Sequence, residues 1–144
     1  MSSVAQTMTR VTMRVAVWLY RSTNGLIGGS IGRLGVLLLT VPGRTTGRPH
    51  TVPVGFFEHE GGYLVVGSAG GAPNDPQWFK NLRQSDRAQI QIRSRHTDVS
   101  VRITESAERD RLWTDVVIRQ ASTFAGYEKK TTRTIPIAVL TPVG

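Results

Sequence analysis

The sequence predicts an α+β domain: a small antiparallel barrel or curled sheet of about six strands, with three helices. Three observations carry that prediction. Short apolar or alternating runs recur between turn signals from residue 35 onward. Most of those runs follow one another in hairpin order, so they pair antiparallel. Helical periodicity is confined to an N-terminal stretch and to residues 76–84 and 106–120.

The N-terminal stretch is a helix with Val4, Met8, Val11, Val15, Trp18 and Leu19 along one face. Arg10, Arg14 and Arg21 share another stripe, and Asn24-Gly25 is the stop signal. Two readings are open. The helix packs on the domain or on a partner subunit. Alternatively it lies at a lipid interface, with Trp18 and Tyr20 at headgroup depth. Met13, Ala16 and Val17 widen the apolar surface, which favours packing. The segment has neither the apolar core nor the cleavage site of a signal peptide. The expected division is a helix over 1–24 and a barrel domain over 25–144. Gly25, Gly28, Gly29, Gly32 and Gly35 predict a flexible connection between them. No Gly-Lys-Ser/Thr follows, so this is not a phosphate loop.

Gly35 to Val41 is a buried strand ended by Pro42-Gly43. Thr51 to Phe57 is a second strand, and Pro53 marks an edge or a bulge. Glu60-Gly61-Gly62 turns the chain into Tyr63 to Gly67, which sets His59 in an exposed turn. Ala69 to Ala72 is a loop. Asp75 caps and Pro76 begins a helix to Gln84 with Trp78, Phe79 and Leu82 inward. Ala88 to Ile92 and Val99, Val101 and Ile103 alternate as two strands joined near Ser94 to His96. A helix over 106–120 turns Leu112, Trp113, Val116 and Val117 inward. Residues 121–132 read as polar and irregular, and Ile135 to Leu140 is the last strand.

Composition narrows the chemistry. The 144 residues (15.8 kDa) fit one domain, and 39% hydrophobic content can build a core. The absence of cysteine excludes disulfides, a thiol nucleophile, Cys-ligated zinc and an iron–sulfur cluster. No apolar run approaches the ~20 residues of a membrane span. The charge is 18 − 10 = +8, and it is unevenly placed. Arg10, Arg14, Arg21, Arg33, Arg44 and Arg48 all precede the first acid, Glu58. A one-sign segment of this kind attracts an anion: nucleic acid, lipid or a phosphorylated cofactor. Trp18, Trp78 and Trp113 fall on predicted helices rather than on a sheet face, which points away from nucleic acid.

Three constellations could carry chemistry. Gly43-Arg44-Thr45-Thr46-Gly47-Arg48-Pro49-His50 combines guanidinium forks, hydroxyls and close-approach glycines, as an anion site does. It is equally compatible with a solvated hairpin turn. Gly67-Ser68-Ala69-Gly70-Gly71-Ala72-Pro73 is uncharged and small, so a flat ring can lie against its backbone, although a plain loop has the same composition. Phe124 and Tyr127 can cover a pocket or pack a crossover. Lys129, Lys130 and Arg133 are anion contacts or a solvated face. His50, His59 and His96 lack metal-ligand spacing. No Ser/His/Asp order or carboxylate pair stands out, so a redox activity would need an organic cofactor.

The joint order of several stretches resembles the deazaflavin-dependent nitroreductase and quinone reductase family of actinobacteria. They are Trp18-Leu19-Tyr20-Arg21, Val36 to Thr40, Gly43-Arg44 with Gly47-Arg48-Pro49, Thr51-Val-Pro-Val54, Gly67 to Ala72, Pro76-Gln-Trp78-Phe79 with Asn81-Leu82, Tyr127, and Arg133 to Ile137. The resemblance implies a split β-barrel, related to FMN-binding flavin reductases and pyridoxamine-phosphate oxidases. It implies hydride transfer from reduced coenzyme F-420 to a quinone, nitroaromatic or similar small acceptor. Arg44 matches the arginine that holds the coenzyme's phosphate and polyglutamate tail. Thr45 stands where that family often has lysine, His50 where it often has arginine, and Arg48 is close enough to compensate. Thr46, Val52, Pro53, Gly67, Ser68, Ala69, Gly70, Trp78 and Asn81 complete the implied coenzyme contacts. Ser68 and Tyr127 are the implied catalytic residues, and Tyr127, Phe124 and Trp18 the implied acceptor pocket, with no metal. Phe124 replaces a second family tyrosine, which weighs against nitroimidazole reduction and leaves quinone reduction. The resemblance further implies a cytoplasmic protein, possible contact of residues 1–24 with the inner membrane face, and homodimerisation. Rival readings keep the barrel but bind FMN or heme, or make it a non-enzymatic module for anions or membrane surfaces.

Overall fold

The alternating runs fold into strands that close on themselves. The structure, a computed structural model, describes the backbone of residues 2–31 and 34–143 and the side chains of residues 12–30 and 34–143. The strands are β1 (Ser30–Ile31), β2 (Leu34–Pro42), β3 (Pro49–His59), β4 (Gly62–Val66), β5 (Arg87–Ile92), β6 (Arg95–Ile103) and β7 (Ile137–Pro142). Their order is β1-β2-β3-β4-β7-β6-β5, all antiparallel. β5 also pairs back on β2 through Leu38 to Thr40, so β2 to β7 close a six-stranded barrel. Closure satisfies backbone donors that an open sheet would leave at its edges. β1 hangs on β2 outside the ring, where a flexible connection was expected.

Every second residue of the ring faces inward. Leu37, Leu39, Val41, Val65, Ile90, Val99 and Leu140 fill the interior. Phe79 and Leu82 of helix α2 (Gln77–Arg83) pack into the same cluster. Each such side chain contributes ~1.5–3 kcal/mol on burial. Pro53 lies opposite Leu38, where β3 has one neighbour only, since its pairing with β4 spans Phe56 to His59. A strand edge tolerates the missing N–H.

Helix α1 (Ser2–Thr23) lies on the outer face of β2, packing Val17 and Tyr20 against Val36 and Leu38. This corrects the expected inner face: Val15 is 50% exposed and Trp18 65% exposed. Val4, Met8, Val11 and the Arg10 and Arg33 side chains lie outside the described residues. The stripe is chosen by Tyr20, which is fully buried. Its hydroxyl lies 2.9 Å from the Val36 carbonyl and 3.0 Å from the Gln91 carbonyl, and accepts the Arg93 N–H at 2.9 Å. It thus bridges β2 to the end of β5, and burial raises the phenol's pKa. Asn24 and Gly25 do stop the helix: both have positive φ, and Gly25 N–H donates to the Tyr20 carbonyl at 2.8 Å.

Other local expectations shift. Glu60-Gly61, with φ of +50° and +76°, forms the two-residue turn, so His59 ends β3 and is only partly exposed. Arg93-Ser94 is the β5–β6 turn, which leaves His96 in β6. Asp75 does not cap α2; it pairs with Arg83 and Arg133 instead. Two cations outbid the free N–H groups of one short helix. The helix expected over 106–120 forms as α3 (Ser106–Leu112), a π-turn (Trp113–Val117) and α4 (Ile118–Gln120). Helix α5 (Thr123–Lys129) replaces the irregular stretch. Its Phe124 and Tyr127 pack on an outer core of Phe57, Leu64, Val66, Trp113 and Ile137. Two apolar positions are too few to register as a period.

Candidate functional site

The β2–β3 turn is built by its own backbone. Gly43 N–H donates to Arg48 O and Gly47 N–H to Gly43 O, both at 2.8 Å, and Arg48 N–H donates to Thr46 Oγ1 at 3.2 Å. A Cβ on Gly43 would meet His50 Nε2 at 2.8 Å and Thr46 Oγ1 at 3.1 Å, so these side chains fold back over the turn. Gly47 has φ of +73° and open space where a Cβ would be. Thr45, Thr46, Arg48 and His50 are all exposed there.

Arg44 is fixed against α2. Its backbone N–H reaches Asn81 Oδ1 at 3.1 Å, one terminal nitrogen reaches the same oxygen at 2.7 Å, and the other reaches Gln77 Oε1 at 2.7 Å. Asn81 is buried, and Trp78 packs edge-on to Phe79 at 5.4 Å beside it. Both acceptors are neutral. Among the described residues no carboxylate pairs with Arg44 or Arg48. A guanidinium has five donors, so the held cation retains donors for an anion. Val52 and Pro53 follow on β3, opposite Leu39 and Leu38.

The second element is the loop after β4. Gly67 N–H donates to Pro136 O at 2.9 Å, and a Cβ on Gly67 would meet the Phe79 ring at 2.9 Å. Ala69, Gly70 and Gly71 all have positive φ, at +47°, +63° and +85°. For Ala69 that costs about 1–2 kcal/mol. Ser68 is buried, and Gly70 opens to free space. A Cβ on Gly71 would meet Tyr127 O and Lys130 Cβ, each at 2.8 Å, so this loop lies directly against α5. The Arg133 side chain is turned onto the loop. It donates to Ser68 O at 2.9 Å, Ala72 O at 2.9 Å and Asp75 Oδ1 at 2.7 Å. Sequence reasoning missed that role, because the partners lie 58 to 65 residues away.

The third element is aromatic. Phe124 meets Phe57, Trp113 and Tyr127 edge-on at 5.7, 6.3 and 5.3 Å. Lys130 Nζ lies 6.0 Å from the Tyr127 ring centre. The buried Trp113 Nε1 has no hydrogen-bond partner among the described residues. Trp18 is not brought to this group; it belongs to α1 on the face of β2. A cleft of about 270 Å³ opens between Arg21 of α1 and strands β2, β5 and β6, and one of about 380 Å³ runs from Pro42, Gly47 and Pro49 beside the β2–β3 turn to Arg87 and Asp98; neither is lined by Arg44, Ser68 or Tyr127.

An uncompensated cation on a turn, a bare-backbone loop and an aromatic wall are brought together through α2 and α5. They fit a flat, uncharged ring carrying an anionic tail. Among the described residues no three His, Asp or Glu side chains form a metal cluster.

Residues 12–142 match the family described as F420H(2)-dependent quinone reductase. The F420H(2)-dependent quinone reductase of Mycobacterium tuberculosis strain H37Rv is 34% identical over 126 residues, 85% of each chain. A solved F420-H2 dependent reductase superposes with TM-score 0.65 at 29% identity, over 73% of this chain and 92% of that one. A chain solved as a domain-swapped dimer superposes with TM-score 0.68 at 26% identity, over 96% and 97%.

Proposed function

The chain belongs to the F420H(2)-dependent quinone reductase family, and from that premise we propose which of its residues carry the reaction. The family makes it an oxidoreductase on a split β-barrel, with coenzyme F-420 as its cofactor. When bound, the reduced deazaflavin supplies the hydride. Everything this chain adds is placement and protection.

Arg44 holds the anionic tail, and the observation that carries this is its restraint by Asn81 and Gln77 without neutralisation. Thr45, Thr46, Arg48 and His50 add donors from the same turn, and Val52, Pro53, Trp78 and Asn81 frame its base. Gly67, Ala69 and Gly70 leave backbone bare for the ring, and the Ser68 hydroxyl reaches a polar edge. Phe124 and Tyr127 wall the acceptor pocket. Reduction of a quinone to its hydroquinone takes a hydride and a proton. The proton comes from Tyr127 Oη or from solvent. Phe124 offers no hydroxyl, which favours quinones over nitroimidazoles. Holding ring and acceptor in contact contributes most of the rate.

The test is anaerobic reduction of menadione by the reduced coenzyme, followed as recovery of deazaflavin absorbance. Turnover that depends on this protein is expected; no turnover with menadione or any other quinone of a panel would overturn the proposal.

Two coarser features extend the proposal. The domain-swapped relative supports a homodimer, which sedimentation velocity would detect. Exposed Val15, Trp18, Leu26 and Ile27 beside Arg14 and Arg21 support peripheral contact of a cytoplasmic protein with anionic membrane. Among the described residues no helix is long and apolar enough to cross one. Co-sedimentation with anionic vesicles, lost on deleting residues 1–24, is the expected result.

A further inference from the structure

Resting on the reading of Ser68 to Ala72 as the ring loop, we propose that Arg133 is a positioning residue. It sets that loop in its binding shape before the coenzyme arrives, and ties it to the helix that holds Arg44.

The loop needs such a brace. Its three consecutive left-handed residues include an alanine, and such a conformation persists only where the surroundings over-determine it. Its own bonds are few: Gly71 N–H to Ser68 O at 2.9 Å, and Ala72 N–H to Ala69 O at 3.1 Å. Arg133 supplies the rest. One guanidinium spans the loop from Ser68 O to Ala72 O and then reaches the Asp75 carboxylate. Its side chain is only 16% exposed, so these bonds are poorly screened. The far oxygen of Asp75 takes Arg83 of α2 at 3.3 Å.

The consequence is a continuous brace. Arg44 is held by Gln77 and Asn81 on α2; Arg83 on the same helix holds Asp75; Asp75 holds Arg133; Arg133 holds the loop. Tail site and ring loop are thereby referenced to one seven-residue helix. Two subsites held at a fixed separation are preorganised for a ligand with an anion at one end and a ring at the other, so less ordering is left for binding. Lysine cannot substitute, because one ammonium cannot reach three acceptors arranged for a planar fork.

The test compares wild type, Arg133→Lys, Arg133→Gln and Asp75→Asn. Amide hydrogen exchange at Gly71 and Ala72 is read without coenzyme, coenzyme affinity by deazaflavin fluorescence, and Tm on the same samples. Both Arg133 variants should exchange faster and bind about tenfold or more weakly. Asp75→Asn should do less, since both carbonyl bonds remain. Full affinity in Arg133→Lys would mean that charge, not shape, matters, and would overturn the proposal. So would unchanged exchange, or a lowered Tm with unchanged affinity. If Arg133→Gln does not fold, Arg133→Lys and Asp75→Asn decide. A wild type that exchanges slowly here but binds no coenzyme would instead sink the ring-loop assignment, while exchange still tests the brace.

Discussion

Arg44 is restrained without being neutralised, and that single condition defines the proposed tail site. Its partners are amide oxygens, so the whole positive charge remains for a ligand. Asn81→Ala should therefore cost ~1–3 kcal/mol of stability, because its buried oxygen takes two donors, and should also weaken coenzyme binding. Urea unfolding and a fluorescence titration on one sample separate the two effects. Tyr20→Phe should cost a similar ~1–3 kcal/mol by orphaning backbone groups at the β2–β5 seam, and leave coenzyme affinity unchanged. A third residue gives a pH dependence. Arg102 forks onto Glu108 at 2.5 and 3.0 Å and holds its carboxyl below the ordinary value. A depressed carboxylate stabilises the fold above its unfolded value and loses that stabilisation as pH falls through the folded one. The pair is exposed, so its contribution is small. Glu108→Gln should lower Tm slightly at neutral pH, with the difference shrinking once pH falls below the ordinary carboxylate value and vanishing only below the depressed folded one. Arg44, Ser68, Asn81 and Tyr127 were legible as positions in an ordered set of short motifs. Arg133 opens one of those motifs too, but its bracing role was not legible, since what decides it is a fork onto groups far away in the chain.

At the scale of elements, the sequence period located strands and helices but not always their faces. The strongest apolar stripe of α1 turned outward at Val15 and Trp18, while a hydroxyl that no hydropathy scale rewards fixed the buried side. The barrel strands were legible because inward residues alternate. Their closure through β2 and β5 was not, since only Leu38 to Thr40 make it. Helix α5 escaped because its support is the aromatic contact of Phe124 with Phe57 and Trp113 rather than a long periodic face. The two glycine loops give a matched prediction. Gly71→Ala would drive Cβ to 2.8 Å from the Tyr127 carbonyl as well as straining φ, so it should push α5 off the loop and abolish coenzyme binding. Gly47→Ala meets no atom and should cost only the ~1 kcal/mol of a left-handed alanine. Thermal melts and affinities of the two variants should diverge accordingly.

For the whole molecule, the excess positive charge now divides by place. Arg21 donates to Thr51 on the barrel wall, Arg93 and Arg133 brace backbone, Arg102 and Arg83 meet carboxylates, and Arg44 and Arg48 stay unpaired by acids at one turn. The absence of cysteine and of a metal cluster among the described residues fits a protein whose redox chemistry belongs to a bound deazaflavin. The family assignment gives the coenzyme; the proposal places its tail at the β2–β3 turn, where Asn81 holds Arg44. The most direct measurement is a two-by-two fluorescence titration. Wild type and Arg44→Ala are each titrated with the intact coenzyme and with its deazaflavin riboside, which lacks phosphate and glutamates. The account predicts that Arg44→Ala weakens the intact coenzyme about ten- to a hundredfold, the loss of one charge-assisted contact, and leaves the riboside unchanged. Equal affinity of wild type and Arg44→Ala for the intact coenzyme would contradict it.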